Sequence, residues 1–370
     1  MKILIIMGTR PEAIKFAPLI KMLENDPAFE LRICITGQHR EMLQQVLDFF
    51  EITPHYNLDL MKHNQTLFDV SAGALTGLKP VLDDCKPQLV FVQGDTTTAF
   101  IGSLAAFYVR CKIAHLEAGL RSGDLNSPFP EEANRRLTAV IADYHFAPTE
   151  LAKQALAKEN IEKKVWVVGN TVVDALLLGL QNLKKREIDF SGEFNYIDFN
   201  KPVVLITAHR RESFGKPFED ICDAIREVKE KMPEIQFVYP VHFNPNVREV
   251  VNRKLSNIKG IYLIEPLDYP RLIWLMEKSS VILTDSGGIQ EEAPALGKPV
   301  LVLREVTERV EGVEAGTARL VGTNRENIVS GLTGLLKNED GIYDRMAKAV
   351  NPYGDGTTCR QIIDILKSVG

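Results

Sequence analysis

Five stretches of this sequence place charged or glycine-rich residues directly after apolar runs, where a folded chain presents chemistry at the end of a strand. In GTRPEAIK (8–15), Thr9 and Glu12 fit a capping box and Pro11 suits a first helical turn, so helix capping accounts for those three. It does not account for Arg10 and Lys15, two cations at a helix opening, where a phosphate or a sugar is favoured. In QGDTTT (93–98), Asp95 fits the N-cap of the next helix as well as it fits a catalytic acid. HLEAGLR (115–121) and PFPEEANR (128–135) add Glu117 at a strand end and Glu131 at a helix opening, where the helix dipole alone favours an acid. One such carboxylate is ordinary. Three in one half of the chain point to general acid/base work.

The second half repeats the pattern with other residue types. TAHRRE (207–212) follows an apolar run and sets His209, Arg210 and Arg211 where the first half has Arg10. A lone histidine is often an ordinary surface group, but at a strand end it can hold or deliver a proton near neutral pH. DSGGIQEE (285–292) reads as a strand entering a Ser286-Gly287-Gly288 turn and then a helix. Glycine permits close approach of the backbone, and N–H groups at the helix start can hold a diphosphate. Glu292, about one turn into that helix, is placed to accept from ribose hydroxyls. Arg309 sits in a charged run, 305–311, that reads as a solvated loop and can also reach a phosphate. His242 follows a further strand. Neither glycine turn has the GxGxxG spacing, no Cys/His set has zinc spacing and no aspartates cluster for magnesium. Hence no cofactor, NAD or metal is expected.

The elements needed to position these residues are legible as an alternation. Apolar runs at Ile3–Met7, Leu31–Ile35, Leu89–Val92, Lys112–Leu116, Tyr144–Ala147 and Val165–Val168 are separated by helix-spaced stretches such as Ile14, Ala17, Ile20 and Leu23. A second series runs through Val203–Thr207, Phe237–Val241, Ile261–Ile264, Val281–Thr284 and Val300–Leu303. Alternating α/β with unbroken apolar strands predicts two Rossmann-like, doubly wound parallel domains facing a cleft. The expected boundary is near Gly169, giving an N-terminal domain 1–169 and a C-terminal nucleotide-binding domain 170–352.

Bulk properties agree. A chain of 370 residues suits two α/β domains, and 45% hydrophobic with 25% charged residues is a globular composition. A net charge of -5 gives no general attraction to nucleic acid or to anionic membranes. The five cysteines are scattered and odd in number, which predicts reduced, packed thiols in the cytoplasm. The opening run 2–7 is too short to span a membrane.

Taken in order, GTRPEAIK, GQHREML, GDTTTAF, HLEAGLRSGD, PFPEEANRR, GNTVVDAL, TAHRRE, DSGGIQEEAPALGKPVLVLR, TERVEGVEAGT and NPYGDG resemble the non-hydrolysing UDP-N-acetylglucosamine 2-epimerases over essentially the whole chain. The resemblance implies a glycosyltransferase-B-like fold, usually a homodimer, whose last helix (353–370) crosses back to the first domain. It implies reversible conversion of UDP-N-acetylglucosamine to UDP-N-acetylmannosamine for polysaccharide biosynthesis, through elimination of UDP to 2-acetamidoglucal and its re-addition. Asp95, Glu117, Glu131 and His209 then become the catalytic set. Arg10, Lys15, Ser286, Gly287, Gly288, Glu292 and Arg309 become the substrate-binding set. A second, allosteric nucleotide-sugar site in bacterial members maps to Gln38, His39, Gln65, Glu132, Arg210 and His242. Glu41 and Asn64 stand where a glutamine and an arginine are common, and loss of an arginine weakens the hold on a phosphate. Leu272 replaces an aromatic that often lies against the uracil. Competing expectations are a hydrolysing epimerase, a glycosyltransferase of the same architecture, an epimerase for another UDP-sugar, or a sensor that binds without turnover.

Overall fold

The structure, a computed structural model, describes residues 1–37, 40–60 and 65–369. The chain divides into two compact units. Unit 1 comprises Met1–Leu178 with Tyr353–Gly370, and unit 2 is Gly179–Pro352.

Unit 1 is built on the strands β1 (Lys2–Met7), β2 (Glu30–Ile35), β3 (Tyr56–Asn57), β4 (Leu89–Gln93), β5 (Lys112–Leu116), β6 (Tyr144–Ala147) and β7 (Val165–Val167). They pair in the order 3-2-1-4-5-6-7, and every pairing is parallel. The centre of the sheet is covered on both faces, so its strands read as apolar runs: Ile3 to Met7 and Val90 to Val92 are fully buried. Unit 2 holds β8 (Val203–Thr207), β9 (Gln236–Pro240), β10 (Ile261–Ile264), β11 (Val281–Thr284), β12 (Val300–Val302) and β13 (Ala318–Leu320). Their order, 10-9-8-11-12-13, is again all parallel.

Both orders have one switch point, between β1 and β4 in unit 1 and between β8 and β11 in unit 2. At such a point the helices that follow neighbouring strands leave to opposite faces and open a crevice beyond the carboxyl ends. The register brings Gln93 opposite Leu116, so Asp95 and Glu117 leave the sheet of unit 1 at the same level.

Two strands give no sequence signal. Tyr56–Asn57 and Ala318–Leu320 are two and three residues long, too short for any periodicity to show. Along the chain, the division between the units falls at Leu178–Gly179, within the helix Thr171–Lys185 and downstream of Gly169. The first turns of that helix are tied to the returning C-terminal segment, because Asp174 accepts from the Cys359 N–H at 2.8 Å. The helix Thr358–Val369 packs against the helix Arg10–Glu24 through buried Ile362 and Leu366, and Lys367 pairs with Asp26 at 2.6 Å. All five cysteines are free thiols, four of them buried. Among the described residues no helix is long and apolar enough to cross a membrane.

Candidate active site

The sequence candidates fall at equivalent places in the two sheets. In unit 1 Arg10 and Lys15 follow β1, Asp95 follows β4 and Glu117 follows β5. In unit 2 His209 follows β8, Ser286 follows β11, and Arg309 lies beyond the end of β12. Each set borders the switch point of its own sheet.

Glu117 is the most constrained of these groups. It adopts φ +60, in the left-handed region that a β-carbon disfavours, and such positions persist only where surrounding contacts over-determine them. Those contacts are visible. Lys15 forms an ion pair with Oε1, Asn170 Nδ2 donates to the same oxygen at 2.9 Å, and Gln93 Nε2 donates to Oε2 at 2.5 Å. The Glu117 side chain is only 8% exposed. A carboxylate held by a cation and two amides is fixed in direction, as a proton acceptor must be.

Asp95 is not the cap of the helix Thr97–Tyr108. Thr96 takes that role, its hydroxyl accepting from the Ala99 N–H at 3.0 Å. Asp95 instead pairs with Arg135, while its own carbonyl accepts from Asn134 Nδ2 at 2.9 Å. Glu131 is the first residue of the helix Glu131–Ile141 and is half-buried. His115 is fully buried, and burial pushes its pKa down to about 3, so the ring is neutral at pH 7. Its Nε2–H therefore donates to the Gly94 carbonyl at 2.7 Å and steadies the turn that carries Asp95. Glu12 is buried completely and serves its own helix start, accepting from the N–H groups of Gly8 and Thr9 and from the hydroxyls of Thr9 and Thr96. Burial raises its pKa.

In unit 2, Asp285 is 1% exposed, and one of its oxygens accepts from the N–H groups of both His209 and Arg210 at 2.6 and 2.7 Å. The other lies 3.6 Å from His209 Nδ1. The side chain of His209 is 45% exposed and its ring stacks on that of His242, with centroids 5.0 Å apart. Burial, followed by the neighbouring His209, holds the His242 pKa below its ordinary value. Gly287 opens the helix Gly287–Glu292, and a β-carbon there would come within 3.4 Å of the Arg309 guanidinium. Arg309 is oriented by Glu291, 2.6 Å away and 2% exposed, and Glu292 accepts from the Tyr269 hydroxyl at 3.2 Å. Gly288 and Ser286 complete that turn.

Of the residues expected at a second site, Gln38 and His39 lie outside the described residues, as does Asn64. Gln65 donates to the Leu60 carbonyl at 2.5 Å. Glu132 is fully buried, accepting from the Ser122 N–H at 2.9 Å and from Arg136 at 3.1 Å. Glu41 is exposed and Leu272 half-buried.

Sequence reasoning gave no role to Gln93, Arg135, Asn170, Asp285 or Glu291, although each stands inside a motif it singled out. Gln93, two residues before Asp95, and Glu291, beside Glu292, stood close to a candidate acid, whereas Arg135, Asn170 and Asp285 had no such neighbour. Among the described residues no group of three His, Cys, Asp or Glu side chains gathers as a metal site.

Two parallel α/β units with acids, cations and a glycine turn at their strand ends define a glycosyltransferase-B-like enzyme that handles a nucleotide-linked substrate. Comparison narrows the class. The sequence model of the UDP-N-acetylglucosamine 2-epimerases matches residues 21–367. UDP-N-acetylglucosamine 2-epimerases of Escherichia coli K12 and Yersinia pestis are 52% and 54% identical over 372 aligned residues, covering 100% of this chain and 99% of each relative. The crystal structure of UDP-GlcNAc 2-epimerase from Neisseria meningitidis bound to UDP-GlcNAc has a TM-score of 0.92 at 49% identity, covering 100% of both chains. The Methanocaldococcus jannaschii enzyme in complex with UDP-GlcNAc and UDP gives 0.80 at 37% identity, again over 100% of both. The chain belongs to the UDP-N-acetylglucosamine 2-epimerase family.

Proposed function

We propose that this enzyme interconverts UDP-N-acetylglucosamine and UDP-N-acetylmannosamine by eliminating and re-adding UDP. A base removes the C2 proton, the C2–H electron pair becomes the C1=C2 bond of 2-acetamidoglucal, and the C1–O bond breaks to release UDP as the anion. A proton then returns to C2 on the opposite face while the UDP oxygen rebonds to C1. The sum is an isomerisation that consumes neither water nor an electron carrier.

The observation that carries this reading is Glu117, a carboxylate fixed by Lys15, Asn170 and Gln93 at a strand end next to the one that carries Asp95. Proton exchange at carbon needs such an oriented acceptor and a second acid for the other face. We assign the proton work to Glu117, Asp95, Glu131 and His209. Arg10, Lys15 and Arg309 supply fixed positive charge for the departing diphosphate, Ser286, Gly287 and Gly288 supply N–H donors, and Glu292 takes the ribose. The same reading carries a homodimer working in the cytoplasm, with UDP-N-acetylglucosamine and UDP as its small-molecule partners.

The test is incubation with UDP-N-acetylglucosamine in D2O, without NAD or metal, followed by proton NMR. Deuterium at C2 together with UDP-N-acetylmannosamine is the expected result. Free N-acetylmannosamine plus UDP would instead assign hydrolysis, and an unchanged spectrum would overturn the substrate.

A further inference from the structure

Asn170 is 3% exposed and sits immediately before the helix Thr171–Lys185. Its carbonyl accepts from the Val173 N–H at 3.1 Å, as a helix start requires, and its other three polar groups point three ways. The backbone N–H donates to the Tyr353 carbonyl at 2.7 Å, Oδ1 accepts from the Val172 N–H at 3.1 Å, and Nδ2 donates to Glu117 Oε1 at 2.9 Å. The first two bonds fix the side-chain amide, so the third is delivered in a set direction. An amide that only capped its helix would have no need to face a carboxylate 53 residues away.

The C-terminal segment holds Asn170 where this requires. Gly169 adopts φ +92, and a β-carbon there would stand 2.6 Å from Thr358 Oγ1 and 3.1 Å from the Tyr353 carbonyl. The contact between 169–170 and 353–358 is therefore as close as backbone allows. Cys359 N–H to Asp174 anchors it one turn further on. Glu117 itself sits in a backbone conformation that surrounding bonds must maintain.

We infer that Asn170 is a positioning residue for Glu117, carrying the hold of the returning segment Tyr353–Thr358 onto the orientation of that carboxylate. The inference rests on Glu117 working at C2. Lys15 supplies Glu117 with charge and Gln93 holds its second oxygen, whereas Asn170 ties the first oxygen to a part of the chain that neither strand contains. Its loss should slow the proton step without weakening the grip on the nucleotide.

The experiment compares Asn170→Ser, Asn170→Asp, Asn170→Ala and Glu117→Gln with the wild-type enzyme, reading kcat, KM, UDP binding capacity by calorimetry, and Tm. Serine and aspartate are good helix caps, so both preserve the start of the helix. Serine is too short to reach Glu117, and aspartate sets a second carboxylate against it. Expected are falls in kcat of about 10- to 100-fold for serine and more for aspartate, within the range of a mis-set acid or base. KM should stay within about twofold, with UDP capacity unchanged. Wild-type kcat in the serine variant, or a loss of kcat matched by an equal loss of UDP capacity, would overturn the inference by reducing Asn170 to a cap. The alanine variant removes both side-chain bonds, and its Tm set against that of the serine variant measures the cap. Full activity in Glu117→Gln would overturn the reading of Glu117 itself, so the two failures are distinguishable.

Discussion

Units 1 and 2 share a strand order yet use their carboxylates in opposite ways. At the strand ends of unit 1, Asp95 and Glu117 remain partly accessible, with 27% and 8% of their side chains exposed, each steered by a cation. At those of unit 2, the side chains of Asp285 and Glu291 are 1% and 2% exposed and committed to the structure, one to two backbone N–H groups and the other to Arg309. What unit 2 presents is a histidine and a glycine turn. The difference teaches that strand position alone does not leave an acid open to a ligand. Burial beside internal donors makes it a brace, and Glu12 and Glu132 in unit 1 follow the same rule.

The comparison can be broken at its strongest point first. Glu117→Gln should lower kcat by about 10³-fold or more, since a positioned acid or base contributes 10²–10⁴-fold, while UDP affinity stays near wild type. Wild-type turnover in that variant would move the proton chemistry out of unit 1. In unit 2 the matching variant is Arg309→Met. Stripping a buried carboxylate of its partner costs about 3 kcal/mol of stability, and a lost phosphate contact costs about tenfold in UDP affinity. Calorimetry on the folded variant checks it, and undiminished UDP binding would leave Arg309 as a brace for Glu291 only.

The smallest effect concerns acid. His115 and His145 are buried in unit 1, and burial holds their pKa values down to about 3 and about 4. Unfolded histidine titrates near 6.5, so below that pH the unfolded chain binds the extra protons and stability falls as pH drops. At pH 5.5 the loss is about 1 kcal/mol for each ring. Tm should decline between pH 7 and pH 5.5, and His145→Gln should flatten part of the decline. An equal decline in that variant would exclude His145 as its source.

The sheets were legible because a parallel strand buried on both faces must be apolar, and a run such as Leu89–Val92 has no other use. The strand-end residues were legible because the charge begins where the run stops. What stayed hidden was assignment between neighbours. Asp95 and Thr96 are both good caps, and only the fold shows that the hydroxyl takes the helix and leaves the acid for Arg135. Glu131 and Glu132 are adjacent acids of one type, separated by burial alone. Asn170 has no sequence signal for Glu117, since nothing local relates two residues that far apart. Tyr56–Asn57 and Ala318–Leu320 owe their strand state to the sheet beside them rather than to their own residues.

Unit 1 is discontinuous in the chain, and its Tyr353–Thr358 contact with Gly169 and Asn170 is made by residues that leave the ribosome after all of unit 2 has been synthesised. Domains form as their residues emerge, so unit 2 can reach its fold while unit 1 still lacks the segment that locks Asn170. Glu117 then gains its final orientation only after residues 353–358 have emerged. The hold on a residue in the first third of the chain is thus completed by residues made after the whole of unit 2.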